Sequence, residues 1–266
     1  MRIARFAADG DPQYGIVELA ADGGSHPDTI SVLTGDPIAM PVQLTGERKE
    51  LDGVRLLAPV IPRSKVVGVG RNYAAHAAEL GNEVPVTPLT FFKPNTAVIG
   101  PNEPIIYPKV SQELSFEGEL AVVIGRICRE VPMSRVPEVI FGYTVGNDVT
   151  ARDLQRSDKQ WARAKGYDTF CPLGPWITTH QSLDEVGSLA IRTTVDGDVR
   201  QDGNTKDMIF TVAELVAYIS SYTTLLPGDV ILTGTPQGVG PMAVGDEVEV
   251  VVQGIGTLTN TVKARD

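Results

Sequence analysis

Short alternations of apolar and polar residues dominate the chain and predict many strands. Three such runs precede residue 60, at positions 3–7, 15–19 and 29–33. Asp-Gly pairs at 9–10 and 22–23 are typical of tight turns between strands. Two prolines within 58–62 indicate a short linker. The sequence therefore predicts a small β-rich N-terminal domain over residues 1–58 and a larger domain over residues 59–266.

The larger domain continues the strand pattern and adds three helical segments. Apolar runs predict strands at 65–69, 89–92, 116–124, 143–147, 190–195, 229–233 and 247–252, with a hairpin turn at Asp196-Gly197. Helices are predicted over an alanine-rich stretch at 74–80, a charged segment at 152–165 and an amphipathic segment at 212–222. Thr211 and Glu214 form a capping box at the start of the last helix. Since strands outnumber helices and no βα repeat persists, the predicted fold class is α+β and β-rich.

Composition narrows the class of protein. The 266 residues are 42% apolar and 21% charged, as in ordinary soluble globular proteins. A net charge of -10 argues against a nucleic-acid partner, and the two cysteines are too few for a disulfide framework. No signal peptide and no long uncharged apolar run occurs, so we expect a cytoplasmic protein that does not span a membrane. No complete nucleotide fingerprint or serine-hydrolase elbow is present.

Two acidic residues interrupt the apolar run at 116–124. Residues two apart in a strand share a face, so the carboxylates of Glu117 and Glu119 would project together, roughly 6–7 Å apart at Cβ. Their burial is unfavourable unless a cation joins them, and Mg²⁺ or Mn²⁺ accepts such oxygen ligands. Asp148, at the end of another predicted strand, is a candidate third ligand. The alternative is an edge strand with one solvated face and an ordinary turn aspartate.

Candidate acid–base residues lie on the alanine-rich helix. His76 and Glu79 are three residues apart and share a face, so the pair is a candidate general base on a short helix that could act as a lid. A structural surface pair is the alternative. Lys165 follows a run of mixed charge and could simply be solvated, and Arg71 and Lys93 beside apolar strands could form structural ion pairs.

Five motifs together resemble one known family, the fumarylacetoacetate hydrolase family. They are Gly70-Arg71-Asn72-Tyr73, Phe92-Lys93-Pro94, Phe116-Glu117-Gly118-Glu119-Leu120, the segment 142–153, and the segment 232–240. The resemblance runs in the family's order from about residue 65 to the carboxyl end. It implies a mixed β-roll catalytic domain, a divalent ion, Mg²⁺ or Mn²⁺, held by Glu117, Glu119 and Asp148, and a homodimer. The region before Pro59 resembles the small, variable N-terminal domain of bacterial members.

Within that family, the chain is similar to acylpyruvate hydrolases and oxaloacetate decarboxylases. The resemblance implies that His76 and Glu79 handle the water and proton steps and that Lys165 is the active-site lysine. It also implies that Arg71, Gln155 and Thr235 face a small 2-oxo acid substrate.

The expected reaction is metal-dependent hydrolysis of a C–C bond in acylpyruvate-type 1,3-diketo acids such as fumarylpyruvate, through an enolate of pyruvate. Decarboxylation or tautomerisation of oxaloacetate and isomerisation of 2-hydroxyhepta-2,4-diene-1,7-dioate are alternatives, because the same enolate or proton transfer serves them. A non-catalytic metal-dependent binder of 2-oxo acids is the alternative from another class.

Overall fold

Strands make up most of the regular structure of this computed structural model, which describes residues 1–8, 10–20 and 26–265. The strands are β1 (Arg2–Ala7), β2 (Gln13–Glu18), β3 (Thr29–Leu33), β4 (Leu44–Glu50), β5 (Arg55–Leu57), β6 (Val66–Gly70), β7 (Leu89–Lys93), β8 (Val98–Ile99), β9 (Ile105–Tyr107), β10 (Leu114–Phe116), β11 (Gly118–Ile124), β12 (Ile140–Asn147), β13 (Thr150–Ala151), β14 (Cys171–Thr178), β15 (Ala190–Val195), β16 (Asp198–Asn204), β17 (Val230–Leu232), β18 (Gly240–Met242), β19 (Glu247–Val252) and β20 (Gly256–Ala264). The helices are α1 (Ala74–Glu79), α2 (Arg152–Asp158), α3 (Trp161–Lys165), α4 (Leu183–Val186) and α5 (Val212–Tyr222). The Asp-Gly turns predicted at 9–10 and 22–23 fall wholly or partly on residues outside the described ranges.

The strands form three sheets. The largest has the order β4-β3-β2-β1-β14-β12-β11-β17-β6-β7, with β5 beside β1 and β8 beside β14. A three-stranded sheet has the order β13-β10-β18, and a five-stranded sheet has the order β16-β15-β19-β20-β9. Most pairs are antiparallel, but β6 with β17, β8 with β14, and β9 with β20 are parallel. The N-terminal strands join the large sheet because β1 pairs with β14.

The core lies on both faces of β11. Leu120, Val122 and Ile124 pack in one apolar cluster with α5, β15 and β19, whereas Ala121 and Val123 pack in a second cluster on the opposite face. Alternate side chains of a strand point to opposite faces, so a strand buried on both sides reads as a continuous apolar run. Because β11 is buried on both faces, a charged residue on it lowers the stability of the fold unless a partner compensates the charge. Such a residue is therefore an indication of a functional site.

Two elements that the periodicity identifies are confirmed in detail. The amphipathic helix spans Val212–Tyr222, and Thr211 and Glu214 form the expected capping box. The hairpin between β15 and β16 turns at Asp196 and Gly197, which have φ angles of 51° and 82°. Positive φ at both central residues is the conformation that a tight two-residue hairpin requires.

The prediction of one continuous strand over residues 116–124 is wrong at its start. The chain leaves the three-stranded sheet after Phe116 and enters the large sheet at Gly118, so Glu117 lies at the crossing. The reason is local: the backbone N–H of Glu117 donates to the side-chain Oδ1 of Asn147 at 3.0 Å instead of joining a strand ladder. The two carboxylates therefore do not project from a single regular strand.

The single helical segment predicted over residues 152–165 is also wrong. Lys159 ends α2 in the left-handed conformation, with φ of 61°, and α3 begins two residues later. A left-handed residue directly after the last helical turn is a common helix stop. The break turns α3, with Lys165 in its last turn, toward the strands. Within the described residues, no helix is both long enough and apolar enough to cross a membrane.

Candidate functional site

Three buried carboxylates meet where the large and three-stranded sheets join. Glu117, Glu119 and Asp148 each contribute one oxygen to a group in which all such atoms lie within 4.8 Å of one another. Glu119 and Asp148 are each only 1% exposed. Glu119 lies on β11, and Asp148 directly follows β12, the antiparallel partner of β11. The backbone N–H of Asp148 donates to the carbonyl of Glu117 at 2.9 Å, which fixes the third ligand candidate beside the first.

Gly118, between the two glutamates, is required by close packing. A Cβ atom there would lie 2.2 Å from Oγ1 of Thr193 and 2.9 Å from Cγ1 of Val250. Real Cβ atoms do not approach other atoms so closely, so only glycine fits. In the Glu117-Gly118-Glu119 motif, the glycine therefore allows the five-stranded sheet to pack closely against the backbone between the two buried carboxylates.

Cations surround two of the three carboxylates. Lys93 pairs with Asp148, and Lys165 places its Nζ 2.6 Å from Oδ2 of Asp148 and 3.1 Å from Oε2 of Glu117. Arg152 lies 2.7 Å from Oε1 of Glu117. The structural ion pair considered for Lys93 is thus present, with a buried acidic partner. Arg152 was not predicted as a site residue, although it lies within the motif at 142–153.

The third carboxylate has a different environment. Glu119 accepts the backbone N–H of Gly234 at 2.7 Å and has no ion-pair partner among the described residues. Burial, followed by the charges of Asp148 and Glu117, raises its pKa well above the usual value. Burial also acts to raise the pKa of Glu117, but the charges of Lys165 and Arg152 outweigh it and lower that pKa. A divalent cation fits this donor set, because it would neutralise the uncompensated carboxylate with oxygen ligands.

A cavity of about 610 Å³ opens next to the triad. Its wall includes seven of the nine residues predicted for the site: Arg71, His76, Glu79, Glu117, Gln155, Lys165 and Thr235. Glu119 and Asp148 do not line the cavity, but each offers a carboxylate oxygen within 4.8 Å of one from Glu117. The structure therefore brings all nine predicted residues to one place, from elements spread over most of the larger domain.

The pair on α1 has a less direct contact than its spacing suggests. Nδ1 of His76 lies 3.5 Å from Oε2 of Glu79, which is longer than a normal hydrogen bond, and this nitrogen is buried without a hydrogen-bond partner in the described structure. Both carboxylate oxygens of Glu79 instead accept the backbone N–H of Gly238 at 3.1 Å. Burial is the largest influence on His76 and lowers its pKa, so the imidazole is neutral near pH 7.

An aromatic and cationic wall closes another side of the cavity. Trp161 packs edge-on against Phe91 at 5.4 Å between ring centroids, and the guanidinium of Arg71 lies 6.0 Å from the Trp161 ring centroid. Arg71 adopts a left-handed backbone conformation with φ of 57°. Among the described residues it has no carboxylate or hydrogen-bond partner. A positive charge that lines a cavity without an acidic partner is suited to an anionic ligand.

The segment 233–240, here called the Thr235 loop, contributes Thr235, Val239 and Gly240 to the cavity wall. Gly234 has φ of 98°, and a Cβ there would lie 2.6 Å from Cβ of Asn72. Asn72 is buried and donates to the carbonyls of Thr233 and Phe210 at 2.7 and 3.0 Å. This structural role of Asn72 was not predicted from the sequence, although Asn72 belongs to the first motif. Its amide ties the segment before α1 to the loop that carries Thr235.

Comparison with known proteins identifies the family. The family described as fumarylacetoacetate (FAA) hydrolase C-terminal matches residues 65–263, and the one described as Rv2993c-like, N-terminal, matches residues 1–59. The chain belongs to the fumarylacetoacetate hydrolase family. The predicted family and the β-rich fold class with an additional N-terminal domain are therefore confirmed. The domain boundary at residue 58 stays a prediction.

Three relatives illustrate the range of the family. "Protein Rv2993c" of Mycobacterium tuberculosis is 50% identical over 262 residues, which cover 98% of each chain. The structure of a 5-carboxymethyl-2-hydroxymuconate delta-isomerase from Mycobacterium smegmatis is 48% identical, with a TM-score of 0.90 and full coverage of both chains. A fumarylpyruvate hydrolase from Pseudomonas aeruginosa, in complex with Mn²⁺ and pyruvate, is 35% identical, with a TM-score of 0.72, over 77% of this chain and 91% of that one. The family thus contains isomerases and hydrolases.

Proposed function

We propose that the protein is a divalent-metal-dependent hydrolase that cleaves a C–C bond of acylpyruvate-type 1,3-diketo acids such as fumarylpyruvate. The observation that carries this proposal is the buried triad of Glu117, Glu119 and Asp148 behind a cavity that is lined by His76, Glu79 and Lys165. The fumarylpyruvate hydrolase relative, with Mn²⁺ and pyruvate, supports both the metal and the product.

The triad would hold Mg²⁺ or Mn²⁺, which accept the same oxygen ligands. Such an ion would bind the carboxylate and keto oxygens of a 2-oxo acid and polarise its carbonyl group. Lys93 and Lys165 already neutralise part of the negative charge of the triad through Asp148. With a divalent ion bound, the site would therefore carry a net positive charge, which would attract an anionic substrate.

His76 and Glu79 would supply the base for hydrolysis. His76 lines the cavity and is neutral near pH 7, so one nitrogen of its imidazole is unprotonated and can accept a proton from water. Glu79 lies beside Nδ1 and would favour the imidazolium form that results. The activated water would attack the distal acyl carbonyl and release a carboxylic acid and pyruvate.

Lys165 would stabilise the negative charge that develops on the departing pyruvate group. Its side chain is 2% exposed and its Nζ lies 5.0 Å from the ring centroid of Phe91, so the charge is held in surroundings that are largely shielded from bulk water. Fixed charges in such surroundings contribute strongly to the stabilisation of a transition state. Gln155 and Thr235 line the same cavity and would contact the polar groups of the substrate.

Arg71 supports the proposal of a substrate with a second carboxylate. Its guanidinium lines the cavity beside Trp161 and has no acidic partner in the described structure. A substrate whose 2-oxo acid end lies at the triad would place its tail along this wall. A terminal carboxylate, as in fumarylpyruvate, would pair with Arg71.

Isomerisation of a 2-hydroxy-dienedioate is the second candidate. The isomerase relative is 48% identical over its full length, which is closer than the hydrolase relative. Isomerisation needs proton transfer but no attacking water, and the neutral His76 could serve it equally well. Such a substrate also carries two carboxylates, so the site geometry accommodates both candidates.

A substrate panel tests these proposals. The purified protein is stripped with a chelator, resupplied with Mn²⁺ or Mg²⁺, and assayed with fumarylpyruvate, acetylpyruvate, oxaloacetate and a 2-hydroxy-dienedioate. We expect metal-dependent loss of fumarylpyruvate absorbance with equimolar release of pyruvate. Isomerised dienedioate without pyruvate release would favour the second candidate, and carbon dioxide release from oxaloacetate alone would identify a decarboxylase.

A variant pair separates an enzyme from a binding protein. His76→Ala should abolish turnover while Mn²⁺-dependent binding of oxalate, a non-reactive 2-oxo acid mimic, persists. Glu138→Gln, which changes an exposed residue paired with Arg135 outside the cavity, should behave like the unaltered protein. Oxalate binding by the unaltered protein without turnover of any substrate in the panel would refute the enzymatic proposal.

A further inference from the structure

We propose that Gln201 is a positioning residue that holds the Thr235 loop in register with the Glu117–Glu119 segment. Gln201 lies on β16, in the five-stranded sheet, and neither lines the cavity nor belongs to the triad. This role rests on the proposed metal site. Its test therefore includes a direct measurement of metal binding in addition to turnover.

The side-chain amide of Gln201 is fully buried, and all four of its hydrogen-bonding positions are used. Its Oε1 accepts the backbone N–H of Gly118 at 3.0 Å and the hydroxyl of Thr193 at 2.7 Å. Its Nε2 donates to Oγ1 of Thr235 at 2.7 Å and to the carbonyl of Pro236 at 2.8 Å. The backbone N–H at one end and the carbonyl at the other fix which way the amide faces.

This amide therefore connects two parts of the site that are distant in sequence. Gly118 is the residue between Glu117 and Glu119, and Thr235 lines the cavity. Thr235 also donates its hydroxyl to the carbonyl of Gly118 at 2.8 Å, which closes a triangle with Gln201. Without the amide, the loop that faces the substrate and the segment that carries the metal ligands would lose three hydrogen bonds that help to set their separation.

Close packing supports a positioning role for the β15–β16 hairpin. A Cβ on Gly203 would lie 2.6 Å from Cβ of Pro236, and a Cβ on Gly238 would lie 2.1 Å from the carbonyl of Arg200. The hairpin is thus pressed against the Thr235 loop on both sides of Gln201. In metal sites, mutation of a group that orients the ligands typically lowers metal affinity by about 10–100-fold, because small displacements weaken coordination.

The test compares Gln201→Met with a matched control. Methionine keeps much of the side-chain volume but removes all four hydrogen bonds. Asn260→Leu changes another buried side-chain amide, which lies on β20 and does not line the cavity. Nδ2 of Asn260 donates to the carbonyls of Gly100 and Glu103 at 2.9 and 2.8 Å. Both variants should lose thermal stability. Only Gln201→Met should weaken Mn²⁺ binding and raise the KM for fumarylpyruvate, by about 10–100-fold.

Mn²⁺ binding is measured by titration calorimetry on metal-stripped protein, and melting temperature by circular dichroism. Gln201→Met with a lower melting temperature but unchanged Mn²⁺ affinity and KM would show that Gln201 is only a core residue and would overturn the proposal.

If Gln201→Met does not fold, Thr193→Val provides the test, since it removes one hydrogen-bond partner of the Gln201 amide and preserves the shape of the side chain. Its Mn²⁺ affinity should fall about threefold or more, and an unchanged affinity would overturn the proposal. Absence of Mn²⁺ binding in the unaltered protein would instead refute the proposed metal site.

Discussion

Both carboxylate oxygens of Glu79 accept the backbone N–H of Gly238 at 3.1 Å, although 159 residues separate the two along the chain. This contact joins α1 to the Thr235 loop, and Glu79 also lines the cavity. Glu79 thus occupies a position where one side chain can hold α1 against the loop and also act beside His76. The two roles are separable, because an amide can accept a hydrogen bond but carries no negative charge to favour the imidazolium form of His76.

Glu79→Gln and Glu79→Ala should therefore differ. We expect both to lower kcat by about 100-fold or more, the usual contribution of general-base catalysis, because His76 would lose the carboxylate that favours its imidazolium form. Only Glu79→Ala should also increase hydrogen exchange at residues 74–80, because glutamine retains an oxygen that can accept the Gly238 N–H. Steady-state kinetics and hydrogen exchange check the two effects separately. Full activity of Glu79→Gln would eliminate the catalytic role.

Metal removal should lower thermal stability as well as activity. A ligand that binds only the folded state at 100 times its dissociation constant stabilises by about 2.7 kcal/mol. For a chain of this size that corresponds to a rise in melting temperature of roughly 5–10 °C. We expect this rise when Mn²⁺ is added to stripped protein and no rise for Glu119→Gln. A rise of equal size in both proteins would place the bound ion elsewhere.

The pH profile should follow the environment of His76. Burial lowers the pKa of His76 below the usual value of 6.5, so the imidazole stays neutral as the pH falls to that point. Protonation of His76 removes the general base, so activity is lost only when the pH falls toward this lowered pKa. We expect kcat/KM to remain level from neutral pH down to about 6.5 and to decline below it. A midpoint of the acidic decline above 6.5 would contradict a buried neutral base.

Gly118→Ala should damage the site through crowding alone. The added Cβ would overlap Oγ1 of Thr193, and overpacking of this kind costs about 1–3 kcal/mol. Displacement of Gly118 would move both flanking glutamates, so Mn²⁺ affinity should fall together with the melting temperature. Gly53→Ala is the matched control, because no atom lies within 4 Å of the added Cβ there. Equal Mn²⁺ affinities and melting temperatures for the two variants would show that the segment around Gly118 tolerates the added Cβ.

Arg71→Met should change substrate preference more than activity in general. A charge-assisted hydrogen bond contributes about 1.5–3 kcal/mol, so the KM for fumarylpyruvate should rise by about 10–100-fold. The KM for acetylpyruvate, which lacks the terminal carboxylate, should change by less than about twofold on the same reasoning. Steady-state assays with both substrates give the comparison. A parallel rise for both would assign Arg71 to the 2-oxo acid end instead of the tail.

Local pattern determined several features of this protein directly from the sequence. The capping box and apolar stripe predicted α5, and Asp196-Gly197 predicted the hairpin, because each signal lies within a few neighbouring residues. The apolar run at 116–124 likewise predicted that Glu117 and Glu119 are buried, because this signal also lies within a few neighbouring residues. The position of Asp148 after its strand also followed from local sequence.

Tertiary structure alone decided how these parts combine. Lys93 reaches Asp148 across 55 residues, and Gln201 reaches Gly118 across 83, and neither separation leaves a periodic signal. The break at Glu117 arises because the Asn147 side chain takes its N–H, a contact that depends on sheet pairing and not on strand propensity. Periodicity reports which face of an element is buried, whereas the partners across that face are chosen by packing of the whole chain.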